Sequence, residues 1–327
     1  MHNSTKGDFV YTNPQLTNME MKRMDDDAND SPRINKSSMV GGPKRNLSIP
    51  KTMCESPSHL IGVQQETPLS WSNDGSTVLF ASENHSIYLC TYNESKDGDI
   101  TVPITETLPT QHKYKVLDAQ FHPKFPATDE IVSCGMDGFI VWDTTNAIVK
   151  HAIPLSQDVG EEKYHTNQIE CICFGYDGDV LFTGSKDNSI RIWNSGSKYE
   201  FLENLTAHKA PVLTITFCEK TEMLASSGRD SMIKIWNMKS ISPDTRDARK
   251  KDPSIKCQLL SSMDGHRGDV CTLTWSDGGR TLFSGARDNS IKFWDVAASK
   301  ELREITSANP HDADIRRLVN VVTNDGM

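Results

Sequence analysis

HTNQIECICFGYDGDVLFTGSKDNSIRIWN, from His165 to Asn194, is the stretch on which the fold turns, because the chain repeats it. HKAPVLTITFCEKTEMLASSGRDSMIKIWN starts at His208 and HRGDVCTLTWSDGGRTLFSGARDNSIKFWD at His266, and the three align without a gap. Each places a Ser or Thr 18 residues after its His, an Asp 22 after and a Trp 28 after. The sets are His165, Thr183, Asp187, Trp193; His208, Ser226, Asp230, Trp236; and His266, Ser284, Asp288, Trp294. Self-similarity at a fixed period marks a repeat architecture, in which one supersecondary unit is stacked many times.

Two further units diverge. His112 is followed by Val116, by Phe121 five residues further on, and by Ser133, Asp137 and Trp142, with three extra residues in FHPKFPATDE and one fewer after Asp137. PLSWSNDGSTVLFASENHSIYLC keeps the rhythm but has Ala81, His85 and Cys90 where Ser, Asp and Trp would stand, so its polar network is expected to be lost. Within every unit, short runs rich in Val, Ile, Leu, Phe and Trp are separated by turn dipeptides such as Asp137-Gly138 and Asp177-Gly178. Runs of that length with polar turns predict an all-β chain, not alternating βαβ units.

A large inward Trp cannot be buried with its indole N–H unpaired, and a Ser or Thr hydroxyl can accept from it. The hydroxyl can then pass the chain of hydrogen bonds to His and on to the turn Asp. Ser, His and Asp together also invite a hydrolase reading. That reading needs one constellation in one cleft, whereas here the set recurs with a Trp attached and without a GxSxG elbow.

These units resemble WD repeats, the family of β-propellers in which each repeat contributes a four-stranded blade. The resemblance covers roughly residues 60 to 320 and implies that the three sets, together with His112, Ser133, Asp137 and Trp142, are structural tetrads. Recognisable repeats lie near 60–92, 112–143, 165–194, 208–237 and 266–295, with a partial one over 311–327 that begins HDADIRRLV. Successive network Trp residues are 51, 43 and 58 apart, the longest interval holding the insertion SISPDTRDARKKDPSIK. Seven blades are usual in the family, so the propeller, 59–327, is expected to be incomplete at its C-terminus: a truncated product, or an open ring completed by a partner or a second copy. Residues 1–58, dominated by Asn, Ser, Asp, Lys, Met and Pro, are expected to be a disordered tail.

The chain has 327 residues, a formal charge of -9 and 36% apolar residues. The acidic balance and the lack of a basic block argue against nucleic-acid binding as the main role. No run of ~18 apolar residues exists to span a membrane. The eight scattered Cys residues and the polar start MHNSTKGDFVYTN fit a reducing, intracellular compartment, cytoplasmic or nuclear. No CxxC pair exists and no cofactor or metal site is expected.

The function expected is therefore that of a non-enzymatic scaffold that assembles other proteins on its loops. In the family the residue before the turn Asp lies on the rim, and here those residues are Met136, Lys186, Arg229 and Arg287. Three cations on successive blades suit an acidic or phosphorylated peptide, the plainer alternative being long side chains that solvate a turn. In the tail, RNLSIP around Ser48 resembles a basophilic kinase site and Ser31-Pro32 a proline-directed one. LASSGRDSMIKIWNMK (Leu224 to Lys239) is similar to the box that docks some WD-repeat substrate receptors onto a cullin-ring ubiquitin ligase. VLDAQFHPKFPATDEIVSCGMDGFIVWD (Val116 to Asp143) is similar to microtubule-associated propellers. Both are narrower alternatives to the scaffold.

Overall fold

The computed structural model describes residues 68–82, 84–91, 104–109, 111–157, 163–244 and 256–306, together with Ile315 and Leu318. Among them are five four-stranded antiparallel sheets, each a meander of consecutive strands. The first is β1 (Leu69–Trp71), β2 (Thr77–Ala81), β3 (Ile87–Thr91) and β4 (Ile104–Thr107). The second is β5 (Val116–Phe121), β6 (Glu130–Gly135), β7 (Gly138–Asp143) and β8 (Ile148–Ile153). The third is β9 (Ile169–Gly175), β10 (Val180–Ser185), β11 (Ile190–Asn194) and β12 (Glu200–Leu205). The fourth is β13 (Val212–Cys218), β14 (Met223–Gly228), β15 (Ile233–Asn237) and β16 (Gln258–Met263). The fifth is β17 (Val270–Ser276), β18 (Thr281–Ala286), β19 (Ser290–Asp295) and β20 (Lys300–Thr306). This is the propeller architecture, each sheet one blade.

Burial falls from the second strand outwards. VLFTGS of β10 is buried at every residue, whereas QLLSSM of β16 is exposed along most of its length. A strand covered on both faces reads as a continuous apolar run, and an outer strand alternates or turns polar. Alternation decides which neighbour each side chain meets. Val180 and Phe182 pack with Val212 and Leu224 of the fourth blade, while Leu181 between them packs with Val132 and Val141 of the second. First strands sit beside first strands, β1 by β5, β5 by β9, β9 by β13 and β13 by β17. Among the described residues the fifth blade does not pack on the first in this way.

Each network Trp faces the preceding blade: Trp142 the first, Trp193 the second, Trp236 the third and Trp294 the fourth. Opposite each one the ladder to the outer strand slips by a residue, leaving Lys150, Leu202, Leu260 and Leu302 as the extra positions. Such a bulge bends the outer strand and increases its twist. The pair β3–β4, with Cys90 in place of Trp, runs in unbroken register.

Ile315 and Leu318 stand against the fifth blade as a following first strand does. A Cβ placed on Gly285 would lie 2.5 Å from Ile315 Cγ2, as one on Gly184 would lie 2.9 Å from Val212 Cγ1. Leu318 N–H donates to Thr272 Oγ1 at 3.0 Å, matching Ile172 N–H to Asp118 Oδ2 at 3.0 Å between the second and third blades. Ile315 is four residues past His311, the spacing of Val212 from His208. The tail 1–58 and the rest of 311–327 lie outside the described residues.

Candidate functional site

The four sets of repeated residues come together inside blades two to five. In the second blade His112 Nδ1 is 2.7 Å from Asp137 Oδ1, its Nε2 is 2.7 Å from Ser133 Oγ, and Trp142 Nε1–H donates to that oxygen at 2.8 Å. In the third, the distances are 2.8 Å for His165–Asp187, 2.8 Å for His165–Thr183 and 2.9 Å for Trp193–Thr183. His208, Asp230, Ser226 and Trp236 give 2.8, 2.8 and 2.9 Å in the same order. His266, Asp288, Ser284 and Trp294 give 2.9, 2.6 and 2.8 Å. One proton arrangement satisfies this geometry: Nδ1–H donates to Asp, the hydroxyl donates to Nε2, and the indole donates to the hydroxyl.

The Asp carboxylates also accept the N–H of the residue after each His, Lys113 at 2.7 Å, Thr166 at 3.0 Å, Lys209 at 3.1 Å and Arg267 at 2.8 Å. These bonds tie the loop entering each first strand to the turn between the second and third strands. Burial pushes the carboxyls up, but their hydrogen bonds outweigh it, with His165 leading for Asp187 and Ser290 for Asp288, and hold Asp137, Asp187, Asp230 and Asp288 below the usual range. Burial holds His165 and His266 below the ordinary imidazole value despite their carboxylate partners. The third blade adds a fifth member, since Arg191 Nη1 donates to Asp187 Oδ2 at 2.9 Å and to Ser189 Oγ at 2.5 Å.

Ser133, Thr183, Ser226 and Ser284 are each 0% exposed. A hydroxyl closed off from solvent, accepting from Trp and donating to His, has no path to a substrate. Cys171 and Cys173 share β9, where burial pushes the Cys173 thiol up to about 12 and Cys171 well above its usual value, the direction of an inert thiol. Among the described residues no group of three or more His, Cys, Asp or Glu is placed to hold a metal ion.

The accessible chemistry is on the rim above the networks. Lys186, Arg229 and Arg287 are exposed there, and Met136 is 48% exposed at the same position of the second blade. Arg229 and Arg287 share a counter-ion, Asp269, at 3.9 Å from Arg229 Nε and 3.3 Å from Arg287 Nη1. The repeat spacing does not mark Asp269, nor the exposed Lys113, Lys209 and Arg267 one residue after each His. The latter signal was visible in the alignment of the repeats. Tyr114, 48% exposed, lies beside Lys113 and extends the rim with an apolar surface.

Within Leu224 to Lys239, Trp236 joins its network, Met238 is buried in the core and Lys239 is exposed. Val116 to Asp143 forms β5 to β7, and His122 is buried with its ring against Phe174, 5.1 Å between centroids. The ends of the 240–256 insertion meet where Ser240 Oγ lies 3.4 Å from Cys257 Sγ. Ser31 and Ser48 lie outside the described residues.

A family model described as WD domain, G-beta repeat, matches residues 157–194, 199–237 and 257–295. The second match opens at β12, the outer strand of the third blade, so the sequence repeat is staggered against the sheets. Over 145 residues, 44% of this chain and 23% of the relative, the sequence is 30% identical to a CCR4-associated factor 4 homolog of Candida glabrata. Over 135 residues, 41% of this chain and 28% of the relative, it is 30% identical to ribosome biogenesis protein YTM1 of Vanderwaltozyma polyspora. The chain thus spans about a quarter of the length of the curated relatives it matches. The solved structure of U3-55K superposes with a TM-score of 0.51 at 22% identity, over 64% of this chain and 55% of that one, a likeness of fold.

Proposed function

Because the chain is a WD-repeat β-propeller protein, we propose that it is a non-enzymatic scaffold that assembles other proteins on its loop faces, inside the cell, in the cytoplasm or nucleus. Proteins built of such repeats act in general as interaction platforms. The observation that carries the reading is the division of labour within each repeat. The polar residues that could do chemistry are consumed in closed networks, and the neighbouring loop positions are left exposed and cationic.

The partner it takes on this rim is an acidic or phosphorylated peptide. Arg229 and Arg287 flank one carboxylate already, and a peptide carboxylate or phosphate would meet the same pair in the same way. Lys186 on the third blade and Lys209 and Arg267 on the fourth and fifth extend the positive surface of an otherwise acidic chain. The name CCR4-associated factor, carried by two of the relatives, is in keeping with membership of a larger assembly.

Affinity capture from cell extract with the wild-type chain and with the triple variant Lys186→Glu, Arg229→Glu, Arg287→Glu tests this. Partners lost from the variant, and competed away by acidic or phosphorylated peptides, are expected. An unchanged set of partners would place the binding surface elsewhere.

A further inference from the structure

Two residues before the network Trp, blades three, four and five each bury a cation, and each answers it differently. Arg191, 4% exposed, reaches Asp187 at 2.9 Å. Lys292, 4% exposed, lies 2.8 Å from Glu301 Oε2 and 3.3 Å from Glu304 Oε1. Lys234, 8% exposed, donates to Ser262 Oγ at 3.0 Å, and among the described residues no carboxylate joins it. A buried ammonium held by one neutral hydroxyl is costly, because its charge has left water without meeting an opposite one.

The register shows what is missing. Lys234 pairs across the ladder with Ser262, as Lys292 pairs with Glu304; Trp236 pairs with Leu259, as Trp294 pairs with Glu301. Ser262 and Leu259 therefore hold the places from which the fifth blade supplies two carboxylates. Ser262 is also exposed, on β16, the outermost strand of its sheet, in extended backbone that a kinase cleft can take up.

We propose that Ser262 is a phosphorylation site whose phosphate pairs with Lys234. A protein kinase would form the Oγ–P bond with the γ-phosphoryl of ATP, break the β–γ phosphoanhydride bond, release ADP, and take the hydroxyl proton onto its own base. The phosphate restores in the fourth blade the ion pair that the fifth has constitutively, with its outer oxygens left in water. It thereby fastens β16 to β15 at the end of the ladder away from the 240–256 insertion, which makes the outer edge of this blade a switchable element.

Phosphoserine incorporated at 262 during synthesis, in the wild-type chain and in Lys234→Met, tests the pairing. A melting temperature higher by roughly 2–4 °C is expected with Lys234 present and no gain without it. The phosphorus resonance should titrate below the usual value of about 6 only when Lys234 is present. Ser262→Glu, which mimics Glu304, should be stabilising in the same Lys234-dependent way, and it serves if Lys234→Met proves too unstable, since comparison with Ser262→Gln separates charge from size. Mass spectrometry of the chain from phosphatase-inhibited cells should find Ser262 modified. Equal melting with and without the phosphate, or Ser262 never modified in those cells, overturns the proposal.

Discussion

The ring of Trp193 stands edge-on to Phe139 of the preceding blade, 5.1 Å between centroids, while its indole N–H donates to Thr183 of its own blade at 2.9 Å. One side chain thus completes a polar network within a sheet and seals the apolar joint between two sheets. Removing it should damage both levels at once, and the same holds for its counterparts.

Trp236→Ala should cost about 3–5 kcal/mol, from the cavity between the third and fourth blades and from Ser226 losing a donor. Trp236→Phe keeps most of the apolar contact and should cost much less. Denaturant unfolding of the two variants separates packing from hydrogen bonding.

Thr183→Val keeps the shape but leaves the indole of Trp193 and Nε2 of His165 without partners in a site closed to water. A loss of about 1–3 kcal/mol for each orphaned group is expected. Thr183→Ser, which keeps the hydroxyl and removes one methyl, should cost only about 1 kcal/mol. Equal losses for both would show that the hydroxyl contributes nothing.

Stability should fall with pH in two stages. His165 and His266 have folded values below the unfolded ~6.5, so their contribution is complete above that pH and declines as pH drops through it, when the unfolded chain takes up the proton first. Asp137, Asp187, Asp230 and Asp288 are lowered from ~3.9, so theirs is complete above that value and is lost as pH falls further. Melting temperatures from pH 7.5 to 3 should show both declines; a flat profile down to pH 5 would contradict the buried neutral imidazoles.

Arg229→Glu with Arg287→Glu should change folding stability by less than about 1 kcal/mol, since both side chains are exposed and their pairing with Asp269 is partly screened. Binding of an acidic peptide should weaken, and its salt dependence should shrink. Isothermal titration at two salt concentrations measures both.

Gly285→Ala would put a methyl 2.5 Å from Ile315 Cγ2. The same methyl would lie 2.9 Å from Thr272 Cγ2; because Ile315 N–H donates to Ala286 O at 3.3 Å and Leu318 N–H to Thr272 Oγ1, displacing these two side chains should speed amide exchange at Ile315 and Leu318 and leave β18 to β20 protected.

The amino-acid sequence determined the repeat, the meander of short strands and the four polar sets, because a network that closes within about 30 residues is written at fixed offsets along the chain. The unbroken apolar start of β10, Val180 to Phe182, is likewise what a strand covered on both faces requires. Tertiary structure alone decided which neighbour covers which face, that Trp142, Trp193, Trp236 and Trp294 all turn towards the preceding blade, and that Arg229 and Arg287 converge on one Asp269. It also decided that Lys234 is buried opposite a hydroxyl while Lys292, at the same place in its repeat, is buried opposite two carboxylates. These contacts join residues of different strands or blades, and the partners of Lys234 and Lys292 come from outer strands whose sequences differ between the repeats. Local periodicity carries the shape of a strand, whereas counter-charges and sealing faces arise only once the sheets are stacked.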